Sequence, residues 1–173
     1  MQPLSVPPTD ADRVLGRLDA RIVIVEYGDY DCPHTRRAHG YLQQLLAESA
    51  GELSLVFRVF PLRHLHQNAQ PLAELMQAIG PEQFWAAHER MMAERRMSLE
   101  VAERVLSGLG LELVQLSQQS QSAALAVQAN VDRGLQDGVH STPSFFFNGA
   151  PHDGHYDIDT LRAQLAQAPE RLG

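Results

Sequence analysis

Lysine is missing from this sequence, and cysteine occurs once, as Cys32. A single cysteine excludes an internal disulfide and any cysteine-built structural metal site within one chain. Long apolar runs are missing as well. No stretch approaches the roughly 18 residues that a membrane-spanning helix needs. Positive charge is scarce: the 14 basic side chains, all arginine, stand against 21 acidic ones for a net charge of −7. With no basic stripe visible, this argues against nucleic acid or an anionic membrane as a partner. The opening residues, Met1 to Pro8, offer neither a positive start nor an apolar stretch of signal-peptide length, so a cytoplasmic protein is expected. What is present is ordinary in bulk. The 173 residues are 44% hydrophobic, which suits one domain with a core of normal size.

Local patterns divide the chain. Residues 1–20 are proline-rich and polar, with a short helical turn expected between Asp10 and Leu18. Ile22 to Tyr27 is a continuous, largely β-branched run, the mark of a strand buried on both faces. A helix is expected from Pro33 to Glu48, with Ala38, Tyr41, Leu42, Leu45 and Leu46 at helical spacing. Leu53 to Phe60 reads as a second strand, stopped by Pro61. Strand, helix, strand at this spacing makes a right-handed βαβ unit. Residues 68–137 lack a convincing strand, and Gly80-Pro81, Gly108 and Gly110 punctuate them into three or four helices. The last of these, Ala124 to Asp137, lines up Ala124, Val127, Val131 and Leu135. Ser144 to Phe147 returns to strand, and Asn148-Gly149 is a strong hairpin signal. A short strand is expected around His152 to His155, then a helix from Asp157, its N-cap, to about Gln167.

The order of elements is that of an α/β thioredoxin fold with an inserted α-helical subdomain. Its thioredoxin part spans about residues 12–67 and 138–173, and the insertion about 68–137.

Cys32 falls at the carboxyl end of a strand and the start of a helix, where reactive groups gather in open α/β sheets. A helix start carries unpaired N–H groups and partial positive charge, which favour thiolate over thiol. His34 can add charge or a hydrogen bond. Thr35, one turn on, brings a hydroxyl within reach of the sulfur. Asp29, Asp31 and Glu26 act in the opposite direction. A lone cysteine is ordinarily a small buried hydrophobe. The strand before Cys32, and Pro33 and a helix after it, instead predict a partly exposed nucleophile.

Several segments resemble the bacterial disulfide oxidoreductases of DsbA type, in the thioredoxin superfamily. Val25 to His34 is similar to that family's active-site strand and helix start. Phe57 to Leu62, followed by His66, resembles its second strand and exit loop. Phe84, Trp85 and His88 resemble the start of its inserted domain, and Gly138 to Gly149 its cis-proline loop and last hairpin. The resemblance implies that Thr142–Pro143 is cis and faces Cys32, with the Thr142 backbone available to an extended substrate. It also implies that Glu26 is a buried acid relaying protons. One departure matters: the family's usual site is Cys-x-x-Cys, and here the second position is Thr35.

Without a second thiol, Cys32 can neither form an internal disulfide nor resolve a mixed one. The leading expectation is therefore a thiol-disulfide oxidoreductase working through a single cysteine, with Cys32, Pro33, His34, Thr35 and Glu26 as its catalytic residues. Thr142 and Pro143 would hold substrate. Its partners would be protein or small-molecule thiols and disulfides, with glutathione as a candidate co-substrate and no bound cofactor or metal. Two alternatives stand beside it: a redox-inactive peptide-binding module, and a relative of the DsbA-fold glutathione transferases and isomerases. The histidine pairs His64/His66 and His152/His155 have no spacing that fixes a metal site. Met91, Met92 and Met97 read as core of the insertion before they read as a substrate groove.

Overall fold

The computed structural model describes residues 1–169. Residues 170–173 of the expected 138–173 stretch lie outside the described residues. The strands are β1 (Arg13–Leu15), β2 (Ile22–Gly28), β3 (Leu53–Val59), β4 (Ser144–Phe147) and β5 (Ala150–His152). They form one sheet in the order β1-β3-β2-β4-β5. β2 pairs parallel with β3 and antiparallel with β4, and β1 and β5 are antiparallel edges. β2 is central, which explains why it is apolar at nearly every position: every one of its residues is buried.

Helix α1 (Pro33–Glu48) follows β2 directly. Helices α2 (Ala69–Gln77), α3 (Pro81–Ala93), α4 (Leu99–Ser107), α5 (Leu113–Ser117) and α6 (Ser120–Gln136) lie between β3 and β4, and α7 (Ile158–Gln167) closes the described chain. Alternation along β2 splits the core. Val23, Val25 and Tyr27 join Val56, Phe146 and the inserted helices. Ile22 and Ile24 face the other way, onto Ala38, Leu42 and Leu45 of α1 and Leu161 of α7. Met91, Met92 and Met97 are buried in the core of the insertion.

Four expectations change. The helical turn expected at 10–18 shrinks to a turn at Asp10 and Ala11, after which Arg13–Leu15 is an extended edge strand with Val14 opposite Val56. Tertiary contacts decide so short a segment: Arg13 donates to the carbonyls of Gln77 and Ile79 and lies over the Phe84 ring. The last strand begins at Ala150, not near His152, because Asn148 and Gly149 both take positive φ (49° and 87°) in a tight turn that sets Phe147 against Ala150. Five helices, not three or four, span the insertion, since the one-turn α5 has no periodicity to read. Finally α6 starts at Ser120 and buries Ala123, Val127, Asn130, Val131 and Gly134, leaving Leu135 exposed. Gly134 sits where α6 crosses the sheet, and a Cβ there would lie 2.7 Å from the Phe60 ring.

Candidate active site around Cys32

Cys32 is the N-cap residue of α1 and Pro33 its first residue, a place where the missing proline N–H costs nothing. The Cys32 Sγ lies 3.4 Å from the carbonyl oxygen of Thr142, to which its S–H donates. The Thr142–Pro143 bond is cis. Two segments 110 residues apart, both marked in the sequence, are thus in contact in the fold. The expectation of a partly exposed thiol does not hold: Cys32 is 3% exposed. The reason is that the loop before β4 closes over the sulfur. Thr142 is itself buried, with its Oγ1 lacking a hydrogen-bond partner among the described residues.

Thr35 is fully buried, and its Oγ1 accepts from the Asp29 backbone N–H at 3.3 Å. Its hydroxyl therefore secures the loop ahead of Cys32. His34 is exposed, and its ring meets Tyr156 through a hydrogen bond to the phenol and an edge contact, while the hydrogen bond of the sulfur goes to Thr142.

The acidic neighbours are not free charges. Asp29 is buried and accepts from the backbone N–H of Asp31 (2.9 Å) and of Leu62 (3.0 Å), and it pairs with His66 Nδ1 (2.8 Å). Asp31 accepts from the backbone and side chain of Asn68. Together they pin the segment 29–31 to the loop that leaves β3. Arg36 is half-buried and donates to the Tyr30 carbonyl at 2.7 Å and to the Arg95 carbonyl at 3.4 Å.

Glu26 is fully buried, and neither carboxylate oxygen has a partner among the described residues. It continues the face of Ile22 and Ile24 beneath α1, with Phe57 and Phe145 as its cross-strand neighbours. Burial pushes its pKa up to about 8. At neutral pH it is largely a protonated acid.

A second buried group adjoins the site. Tyr30 OH bonds His88 Nδ1 at 2.7 Å, and the His88 and His39 rings sit 4.9 Å apart. Burial lowers the pKa of His39 to about 4 and, with the nearby His39, lowers that of His88 as well. Both imidazoles are neutral, and His88 packs beside Phe57, Phe84 and Trp85. His88 stands out in the sequence, but its link to His39 does not, because the two are on different helices. Tyr156 is hidden for the same reason: 122 residues separate it from His34.

A family model described as Thioredoxin matches residues 8–167. The thiol-disulfide exchange protein alpha-DsbA2 from Wolbachia pipientis superposes with a TM-score of 0.77 over 91% of this chain and 88% of that one, at 17% identity. A periplasmic thioredoxin-like protein from Salmonella enterica serovar Typhimurium gives a TM-score of 0.74 over 91% of both chains, at 19% identity. That protein's location overturns the cytoplasmic expectation, which had rested on a few opening residues. A curated relative, the Na(+)/H(+) antiporter NhaA 1 of Salinispora arenicola, is 33% identical over 165 residues, 92% of this chain and 25% of its own length. The chain spans about a quarter of the length of such relatives. No helix among the described residues is long and apolar enough to cross a membrane. The match over residues 8–167 and the cis-proline loop seated on the helix-capping cysteine agree: the chain belongs to the thioredoxin family and takes the fold of its DsbA-type thiol-disulfide oxidoreductases.

Proposed function

We propose that this protein exchanges thiols and disulfides through Cys32 alone, in an extracytoplasmic setting like that of the Salmonella neighbour. The observation that carries the reading is the contact between Cys32 Sγ and the Thr142 carbonyl across the cis-proline loop. It sets a sulfur beside a backbone edge on which an extended chain can lie.

The steps balance without a cofactor. The Cys32 thiolate attacks one sulfur of a partner disulfide. A new S–S bond joins Cys32 to that sulfur, and the other sulfur leaves as a thiolate. An external thiolate, of which glutathione is the small-molecule candidate, then attacks the mixed disulfide on the partner's sulfur and frees Cys32. The attacking sulfur sits on the N-cap residue of α1. Glu26, largely protonated at pH 7 beneath α1, is the acid that gives a proton to the leaving thiolate, and its pKa of about 8 suits that task. The backbone N–H of Thr142 has no acceptor among the described residues and is free to pair with the substrate chain.

The test is intact-mass analysis after incubation with oxidised glutathione. A stable one-to-one adduct at Cys32 is expected, removed by added thiol and absent from Cys32→Ser. If denatured protein forms the adduct and folded protein does not, with glutathione or with a peptide disulfide, the 3% exposure of Cys32 wins. The cis-proline edge is then a peptide-binding surface only.

A further inference from the structure

The chain carries a net charge of −7, yet folding collects positive charge in one place. The end of α3, the connection after it and α4 enclose an open groove of about 810 Å³, lined by Arg90, Arg95, Arg96 and Arg104 against a single acid, Glu94. Glu94 pairs with Arg104 at 3.3 Å. Arg90, Arg95 and Arg96 are exposed and make no ion pair among the described residues. Between the arginines the wall is apolar, from Ala93, Val101 and Val105. The groove is tied to the thiol site by Arg36, whose guanidinium bonds the carbonyls of both Arg95 and Tyr30. Tyr30 is two residues before Cys32.

We propose that this groove docks an acidic segment of the protein partner whose disulfide meets Cys32. The proposal deepens the thiol-exchange reading and rests on it. Guanidinium forks bind carboxylates in pairs of parallel hydrogen bonds. An apolar wall between them accepts the carbon chains of a peptide, which a free inorganic anion would leave uncovered. The negative surface elsewhere repels a long polyanion such as nucleic acid, so a short acidic stretch is the fitting occupant.

Two measurements test this on the full chain. The first is binding of a labelled, cysteine-free peptide carrying a run of glutamates, read by fluorescence anisotropy. Arg95→Ala/Arg96→Ala should weaken binding about tenfold, Arg95→Lys/Arg96→Lys should recover part of it, and a glutamine version of the peptide should not bind. The second is the rate at which Cys32 exchanges with a peptide disulfide that carries either run. The glutamate peptide should react about tenfold faster than the glutamine one at low salt, and the alanine pair should erase the difference while leaving the glutamine rate unchanged. Equal rates and equal binding for the two peptides would overturn the docking proposal and leave thiol exchange standing. Glutamate-specific binding with no exchange from either peptide would overturn thiol exchange and leave an acidic-peptide site. Equally tight binding of a single-stranded oligonucleotide of matched charge would overturn the choice of peptide.

Discussion

Replacing Glu26 with glutamine should remove a strong pH dependence from the stability of this protein. The folded pKa of about 8 stands above the ordinary carboxyl value of 4.5 because burial disfavours the charged form. The folded state therefore holds a proton that the unfolded chain has lost between those two values. Stability falls as pH rises through that window and levels off above about 8. Each unit corresponds to about 1.4 kcal/mol, so the loss between pH 4.5 and 7.5 is on the order of 3–4 kcal/mol. That is a large share of a typical 5–15 kcal/mol. The glutamine amide keeps the shape of the carboxyl group and cannot ionise. Urea unfolding at a series of pH values should show Glu26→Gln close to wild type at pH 4.5 and more stable by about 3 kcal/mol at pH 7.5. The same variant should form the glutathione adduct about a hundredfold more slowly at pH 7, the lower end of what a positioned general acid contributes. A stability difference that stays flat from pH 4.5 to 8.5 would refute the reasoning, since it would mean that water reaches the Glu26 carboxylate.

Thr35→Cys restores a sulfur three residues from Cys32 at the helix start. It should form an internal disulfide and raise insulin reduction at least tenfold over wild type, at a stability cost of about 1 kcal/mol for the lost Asp29 N–H bond; a disulfide without any gain in exchange would mean the surrounding groove no longer presents substrate. Two glycine substitutions should move stability in opposite directions. Gly134→Ala forces a Cβ to 2.7 Å from Phe60 and 3.1 Å from Tyr27, and should cost about 1–3 kcal/mol, lowering Tm by roughly 3–10 °C. Gly40→Ala, in the middle of α1 with nothing within 4 Å of the new atom, should instead add about 0.5–1 kcal/mol. Calorimetry reads both, and a stabilised Gly134→Ala would show that α6 shifts freely over the sheet.

Legibility in the sequence tracked the range of the interaction. β2 was readable because a strand buried on both faces must be apolar at nearly every position, whatever packs on it. The hairpin was readable because Asn148-Gly149 carries its own backbone preference. β1 was not, since Arg13, Val14 and Leu15 are extended only by pairing with β3, about 40 residues later. The arginine groove escaped notice for a similar reason. Arg90, Arg95, Arg96 and Arg104 make no stripe in one dimension and converge only when α3 folds back on α4. The burial of Cys32 depends on Thr142, and no pattern near position 32 reports how tightly a loop 110 residues away will close.

The carboxylates near Cys32 show where reasoning from charge alone stops. Asp29 and Asp31 count in the sequence as negative charges opposing a thiolate. In the fold, Asp29 accepts two backbone N–H groups and faces His66, and Asp31 caps the approach to α2 through Asn68. Their charge is engaged by hydrogen-bond donors, and charge-assisted bonds of this kind hold a loop more firmly than neutral ones. Thr35 adds the Asp29 N–H to the same lattice from inside α1. The segment from Asp29 to Thr35 is therefore held at both ends by side-chain oxygens. The position that carries a second sulfur in Cys-x-x-Cys enzymes here carries part of that lattice. A site with one thiol needs its geometry kept by means other than a disulfide, and this network supplies it.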